Sequence, residues 1–193
     1  MYITKHTNVT DRTLLDSLWA LYTLAYEKIA EEDVSRETLY RSEFDDVMAD
    51  PTYRTTVVRD DDNQPIAMAV VATDISVTRY LSVPYFRRHY PDRMAEGRVH
   101  YIMWVVVHPD HQAGSASWEL ARAGFSSEVD EGALLVFDLP ESNQGSDEGG
   151  VVELFRRVAS SIAEVELESF GRSRYYALDF APDRAAVAPT STH

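Results

Sequence analysis

The sequence predicts one mixed α/β domain, a mainly antiparallel central sheet flanked by about four helices. Three observations carry this. Strand-length runs, apolar or alternating, occur at residues 2–6, 53–59, 66–73, 102–107 and 133–139. Longer stretches with apolar residues at helical spacing fall between and after them. The run at 102–107, Ile-Met-Trp-Val-Val-Val, is uninterrupted and rich in β-branched residues, as expected of a central strand buried on both faces.

Taken in order, residues 2–6 alternate and form a first strand. Asp11 caps a helix carrying Leu14, Leu15, Leu18, Leu21, Tyr22 and Ala25 on one stripe. Glu31-Glu32-Asp33 interrupts it, and Ser35 caps a second helix with Leu39, Tyr40, Phe44, Val47 and Met48, ending before Pro51. Two strands follow, joined by the acidic turn 60–63, which lacks the spaced ligand pattern of a calcium loop. Residues 74–99 combine Tyr80, Tyr85, Phe86 and Tyr90 with Arg79, Arg87, Arg88 and Arg93, punctuated by Pro84 and Pro91. This reads either as a short helix packing its aromatics on the sheet or as an insertion that shapes a pocket.

After the central strand the chain breaks at His108-Pro109-Asp110 and passes through small residues, Ala113 to Ser117. A helix then begins near Trp118, with Ala121, Phe125 and Val129 on the same face. Strand, small-residue loop and helix is the arrangement that offers free backbone N–H groups and a positive helix end to a phosphate. A buried strand at 133–139, a polar loop at 140–150 and a helix with Val151, Leu154, Phe155, Val158 and Ile162 follow. Residues 164–170 and 174–180 flank Gly171 as a terminal hairpin, and 181–193 read as a disordered tail, so the domain spans residues 1–180.

Composition narrows the function. With 193 residues there is enough chain for one full core. The absence of cysteine removes disulfides, thiolate catalysis and Cys-based zinc sites. A net charge of −14 argues against a nucleic-acid partner, and no run is long enough to span a membrane. The opening residues contain no secretory pattern, so a cytoplasmic location is the expectation. His108 and His111 around Asp110 sit on a turn without further ligands at a telling spacing, and no metal is assigned.

The stretch VVVHPDHQAGSASWELARA resembles the acyl-CoA-binding core of the GCN5-related N-acetyltransferase superfamily, whose pattern is an apolar strand, a proline and Gln/Arg-x-x-Gly-x-Gly/Ala opening a helix. Two registers fit in part. One places Gln112 in the first position with Ser115 and Ser117 in the small-residue positions. The other keeps Gly114 and Ala116 but puts His111 first. The element order agrees with that family over roughly residues 2–180.

The resemblance implies acetyl-CoA as co-substrate, and a small-molecule or peptide amine as acceptor; a homodimer is compatible with it. Backbone groups of Trp104, Val105, Val106 and Val107 would serve pantetheine and the thioester carbonyl. Gln112, Ala113, Gly114, Ser115, Ala116 and Ser117 would cradle the pyrophosphate. His100 and Glu96, just before the central strand, are the candidates for catalytic base. In the family, a tyrosine on the last helix protonates the leaving thiolate, and Phe155 stands in that position here. The alternative is a protein of the same fold that has lost the chemistry and acts as a CoA-binding or protein-interaction module.

Overall fold

A computed structural model of the chain describes residues 1–32, 38–112, 114–139 and 150–169. Their order is β1 (Tyr2–His6), α1 (Arg12–Glu32), α2 (Arg41–Ala49), β2 (Tyr53–Arg59), β3 (Pro65–Ala72), α3 (Val83–His89), α4 (Pro91–Ala95), β4 (Val99–Val107), α5 (Ala116–Glu131), β5 (Leu134–Val136) and α6 (Val151–Ser160), with 3₁₀ turns at Ile75–Val77 and Pro109–His111. The sheet runs β1-β2-β3-β4-β5 in space. Its first three pairings are antiparallel, and β4 and β5 are parallel, joined through α5.

Two layers cover the sheet. On one face Leu18, Leu21, Tyr22 and Tyr26 of α1 and Phe44 and Met48 of α2 pack against Val57, Met68, Val70, Tyr101, Trp104 and Val106. On the other, Ala121 and Phe125 of α5 and Phe155 and Val158 of α6 pack on Val71 and Ile102, while Ala116 and Leu120 meet Val58, Ile66 and Ala67. Trp104 is enclosed by Tyr22 at 5.6 Å and Phe44 at 5.9 Å between ring centroids. The central strand is thus buried on both faces, as its unbroken apolar run requires.

The segment 74–99 folds as two short helices rather than one. Ser82 caps α3 through Tyr85 N, and Pro84 and Pro91 occupy first-turn positions, where the missing N–H costs nothing. Phe86 is buried there, whereas Tyr80 and Tyr85 remain 42% and 37% exposed, so the packing of aromatics on the sheet is partial. Val129 does not continue the inward face of α5; it is 44% exposed, and Glu128 is the inward residue. β5 is shorter than the expected strand because Gly132, at φ 61°, ends α5 and pairing with β4 stops at Tyr101↔Val136. Residues 164–169 carry no strand. The cap at Ser35, the loop at 140–149, the second arm of the terminal hairpin and the tail at 181–193 lie outside the described residues, as does Ala113.

Candidate active site

β4 has two unlike halves. Residues 99–101 pair with β5 through Val99↔Leu134, His100↔Leu135 and Tyr101↔Val136, and Tyr101 also pairs with β3 through Ala72. Beyond Tyr101 the ladder with β3 continues to Val107, but no described residue pairs with β4 on the β5 side. Among the described residues, the backbone donors and acceptors along that edge have no strand partner. The register with β3 also shifts, from Val70↔Trp104 to Val71↔Ile102, making Met103 the extra residue of a bulge on β4. A bulge leaves one residue out of the ladder and re-aims its neighbours.

At the far end of this open edge, His108 N bonds to Ile66 O and a 3₁₀ turn carries the chain through Gln112. Gln112, Gly114 and Ser115 are exposed, Ser117 is half-buried, and Ala116 is buried against the sheet. Ser115 sits at the N-cap of α5 without a side-chain cap hydrogen bond. The first-turn amides of a 16-residue helix therefore lack that internal acceptor. Gly114 has room for a side chain: a Cβ there would meet His111 O at 3.4 Å and nothing nearer. Its use to a ligand is close approach of the backbone rather than an unusual φ.

The expected site residues divide. Val105 and Val107 are half-buried on the α5 side, and Trp104 and Val106 are buried on the α1–α2 side, so these four offer mainly backbone to the edge. Trp104 Nε1 is buried without a hydrogen-bond partner. His100, 2% exposed, does not face the open edge: Nδ1 lies 2.5 Å from Glu128 Oε2 on α5, and Nε2 lies 3.8 Å from Glu131. Arg54 completes this cluster, 2.9 Å from Glu131 and 3.6 Å from Glu128. Such a closed arrangement ties β4 and β2 to α5. Glu96, at the end of α4, is half-exposed and paired with Arg98. Phe155 stacks edge-on against Phe125 and Phe137, each at 5.2 Å.

One pair escaped sequence reasoning. Tyr101, buried to 4%, donates its hydroxyl to Asp138 Oδ1 at 2.5 Å, and Asp138 itself is exposed. The two are 37 residues apart in sequence, so no local spacing signals them. Asp138 stands two residues past the end of β5 pairing, at the fork where β4 and the following chain part. The half-exposed ring of Tyr80 lies 6.1 Å from that of Tyr101. Among the described residues no group of three or more His, Asp or Glu is arranged to hold a metal ion, and no helix is long and apolar enough to cross a membrane.

No family model and no curated protein matches the sequence. Solved structures do match the fold. An aminoglycoside acetyltransferase from an uncultured soil metagenomic sample, crystallised with sisomicin, aligns over 92% of this chain and 96% of its own, with a TM-score of 0.52 at 13% identity. An aminoglycoside 6'-N-acetyltransferase from Acinetobacter baumannii covers 92% and 99%, with a TM-score of 0.50 at 13% identity. The ribosomal-protein-S18-alanine N-acetyltransferase of Escherichia coli covers 81% and 76%, with a TM-score of 0.52 at 12% identity. By its sheet order, its parallel β4–β5 pair and these likenesses, the chain has the fold of the GCN5-related N-acetyltransferases.

Proposed function

We propose that the protein is an acyl-CoA-dependent N-acyltransferase that uses acetyl-CoA to acetylate a primary amine on a small molecule or peptide. The observation that carries this is that, among the described residues, β4 has no β5-side partner after Tyr101 while its other edge stays paired to Val107. A pantetheine arm is an extended chain with amide donors and acceptors, suited to complete such an edge as a missing strand. The exposed Gln112, Gly114 and Ser115, next to the uncapped first turn of α5, suit the pyrophosphate at its end. At the opposite end of the edge, next to Tyr101, the bulge at Met103 supports a role for its neighbouring amides in polarising the thioester carbonyl. The acceptors of the similar structures, aminoglycosides and a ribosomal-protein alanine, favour an amine substrate.

The chemistry asks little of the side chains. Holding amine and thioester in contact supplies much of the acceleration, and a CoA thiolate is a good leaving group. Phe155 in place of a hydroxyl favours a second reading, a CoA-binding module without turnover, because no acid stands there to protonate sulfur. Calorimetry with acetyl-CoA tests the first half of the proposal. The wild type is expected to bind, and Gly114→Arg, provided circular dichroism shows it folded, is expected not to. Absence of binding by the wild type would sink both readings. Binding with no release of free thiol in the presence of kanamycin, spermidine or a peptide with N-terminal alanine would select the second.

A further inference from the structure

We infer that Asp138, held by Tyr101, accepts the proton of the acceptor ammonium. This rests on the acyl-transfer reading above and assigns to a new residue the base role expected of His100 or Glu96. Three geometric facts support it. Asp138 is the carboxylate at the fork of the sheet, two residues beyond the last β5 pair. Tyr101, which fixes it at 2.5 Å, lies two residues before the bulge at Met103. Two residues of strand span about 7 Å, a distance bridged by the amine itself or by one water.

The third fact concerns partners. Glu96 is neutralised by Arg98, and Glu128 is buried between His100 and Arg54. Asp138 has no cationic partner among the described residues, and its contact with Tyr101 uses Oδ1. An exposed carboxylate in that condition attracts an ammonium group and keeps Oδ2 for its proton. Tyr80, 6.1 Å from Tyr101, gives the amine's carbon chain an aromatic wall.

In the step proposed, R–NH₃⁺ gives one proton to the Asp138 carboxylate. The freed nitrogen lone pair forms the C–N bond to the acyl carbon, and the C–S bond breaks with its electron pair going to sulfur. The second N–H proton neutralises the thiolate, and the carboxyl of Asp138 returns its proton to water. Products are the amide, the free thiol and one proton.

Steady-state turnover with acetyl-CoA and kanamycin, spermidine or an N-terminal-alanine peptide, followed across pH, tests the assignment. Asp138→Asn is expected to lower kcat by about 10²-fold near neutrality, with KM for acetyl-CoA unchanged. The deficit is expected to shrink as rising pH deprotonates the amine in solution, which a merely structural residue would not produce. Tyr101→Phe, which keeps the ring and frees the carboxylate, is expected to lose about tenfold. Asp138→Asn turning over within about twofold of the wild type, or a deficit independent of pH, overturns the inference. Failure of the wild type to turn over any of the three acceptors also overturns it. Acetyl-CoA binding on the same sample then decides whether the acyl-CoA reading falls with it.

Discussion

The two halves of β4 differ more from each other than from the strands beside them. Residues 99–101 are closed on the β5 side: β5 flanks the backbone, β3 joins at Tyr101, and His100 is buried against Glu128 with Arg54 and Glu131 behind. Residues 102–107 have no partner on the β5 edge among the described residues, carry the bulge at Met103 and run toward the uncapped end of α5. One apolar strand thus fastens α5 at one end and, among the described residues, leaves an edge without a partner at the other. The lesson is about histidine and carboxylate chemistry in cores. His100 is a candidate base by its place before the central strand, yet in the fold its ring is buried against Glu128 and fixes α5 to the sheet.

Breaking the closed half has the largest expected effect. Glu128→Ala leaves His100 and Arg54 without their buried partner and is expected to cost about 3 kcal/mol of unfolding free energy, read by urea denaturation. Its effect on acetyl-CoA affinity, measured where the variant is still folded, is expected to be small. Breaking the open half reverses the pattern. Gly114→Arg meets no crowding within the fold, because a Cβ there has only His111 O at 3.4 Å. It is therefore expected to leave stability unchanged while weakening acetyl-CoA binding by more than about 100-fold.

A third variant sharpens the contrast on the α6 side. Phe155→Tyr introduces a hydroxyl at the position where the sequence resemblance places a tyrosine, but the ring sits in a core with Phe125 and Phe137. The expected result is a loss of about 1 kcal/mol in stability with no gain in kcat. A kcat rise of severalfold would show that the hydroxyl reaches the leaving group after all.

The smallest effect concerns His6, at the end of β1. Burial first, and then the charge of Arg59, hold its pKa below the ordinary histidine value. A lowered folded-state pKa means that protonation favours the unfolded chain. His6 therefore contributes stability above the unfolded pKa, and this is lost as pH falls through the folded one. Titration followed by NMR is expected to place its midpoint below that of a free histidine.

Much of the fold was legible because its signals are local. β1 and β2 match their alternating runs residue for residue, and β3 is displaced by one residue. Pro84 and Pro91, each just inside a helix start, mark the two helices of the 74–99 segment. Polarity misled at Val129, since hydrophobicity prefers Val inside and Glu128 outside. The buried partner His100, far away in sequence, reverses that preference. The small-residue loop after β4 was visible as such. The Tyr101–Asp138 contact was not, because it depends on where a parallel strand stops pairing, which no window of sequence encodes.

Hydrogen exchange along β4, with and without acetyl-CoA, tests the division most directly. Without ligand, the amides of residues 99–101 should be slow, and those of 102–107 that do not bond to β3 should be fast. With acetyl-CoA, the account predicts new protection confined to that second half and to residues 114–117. Protection spread evenly over β4, or none on adding acetyl-CoA, would contradict it.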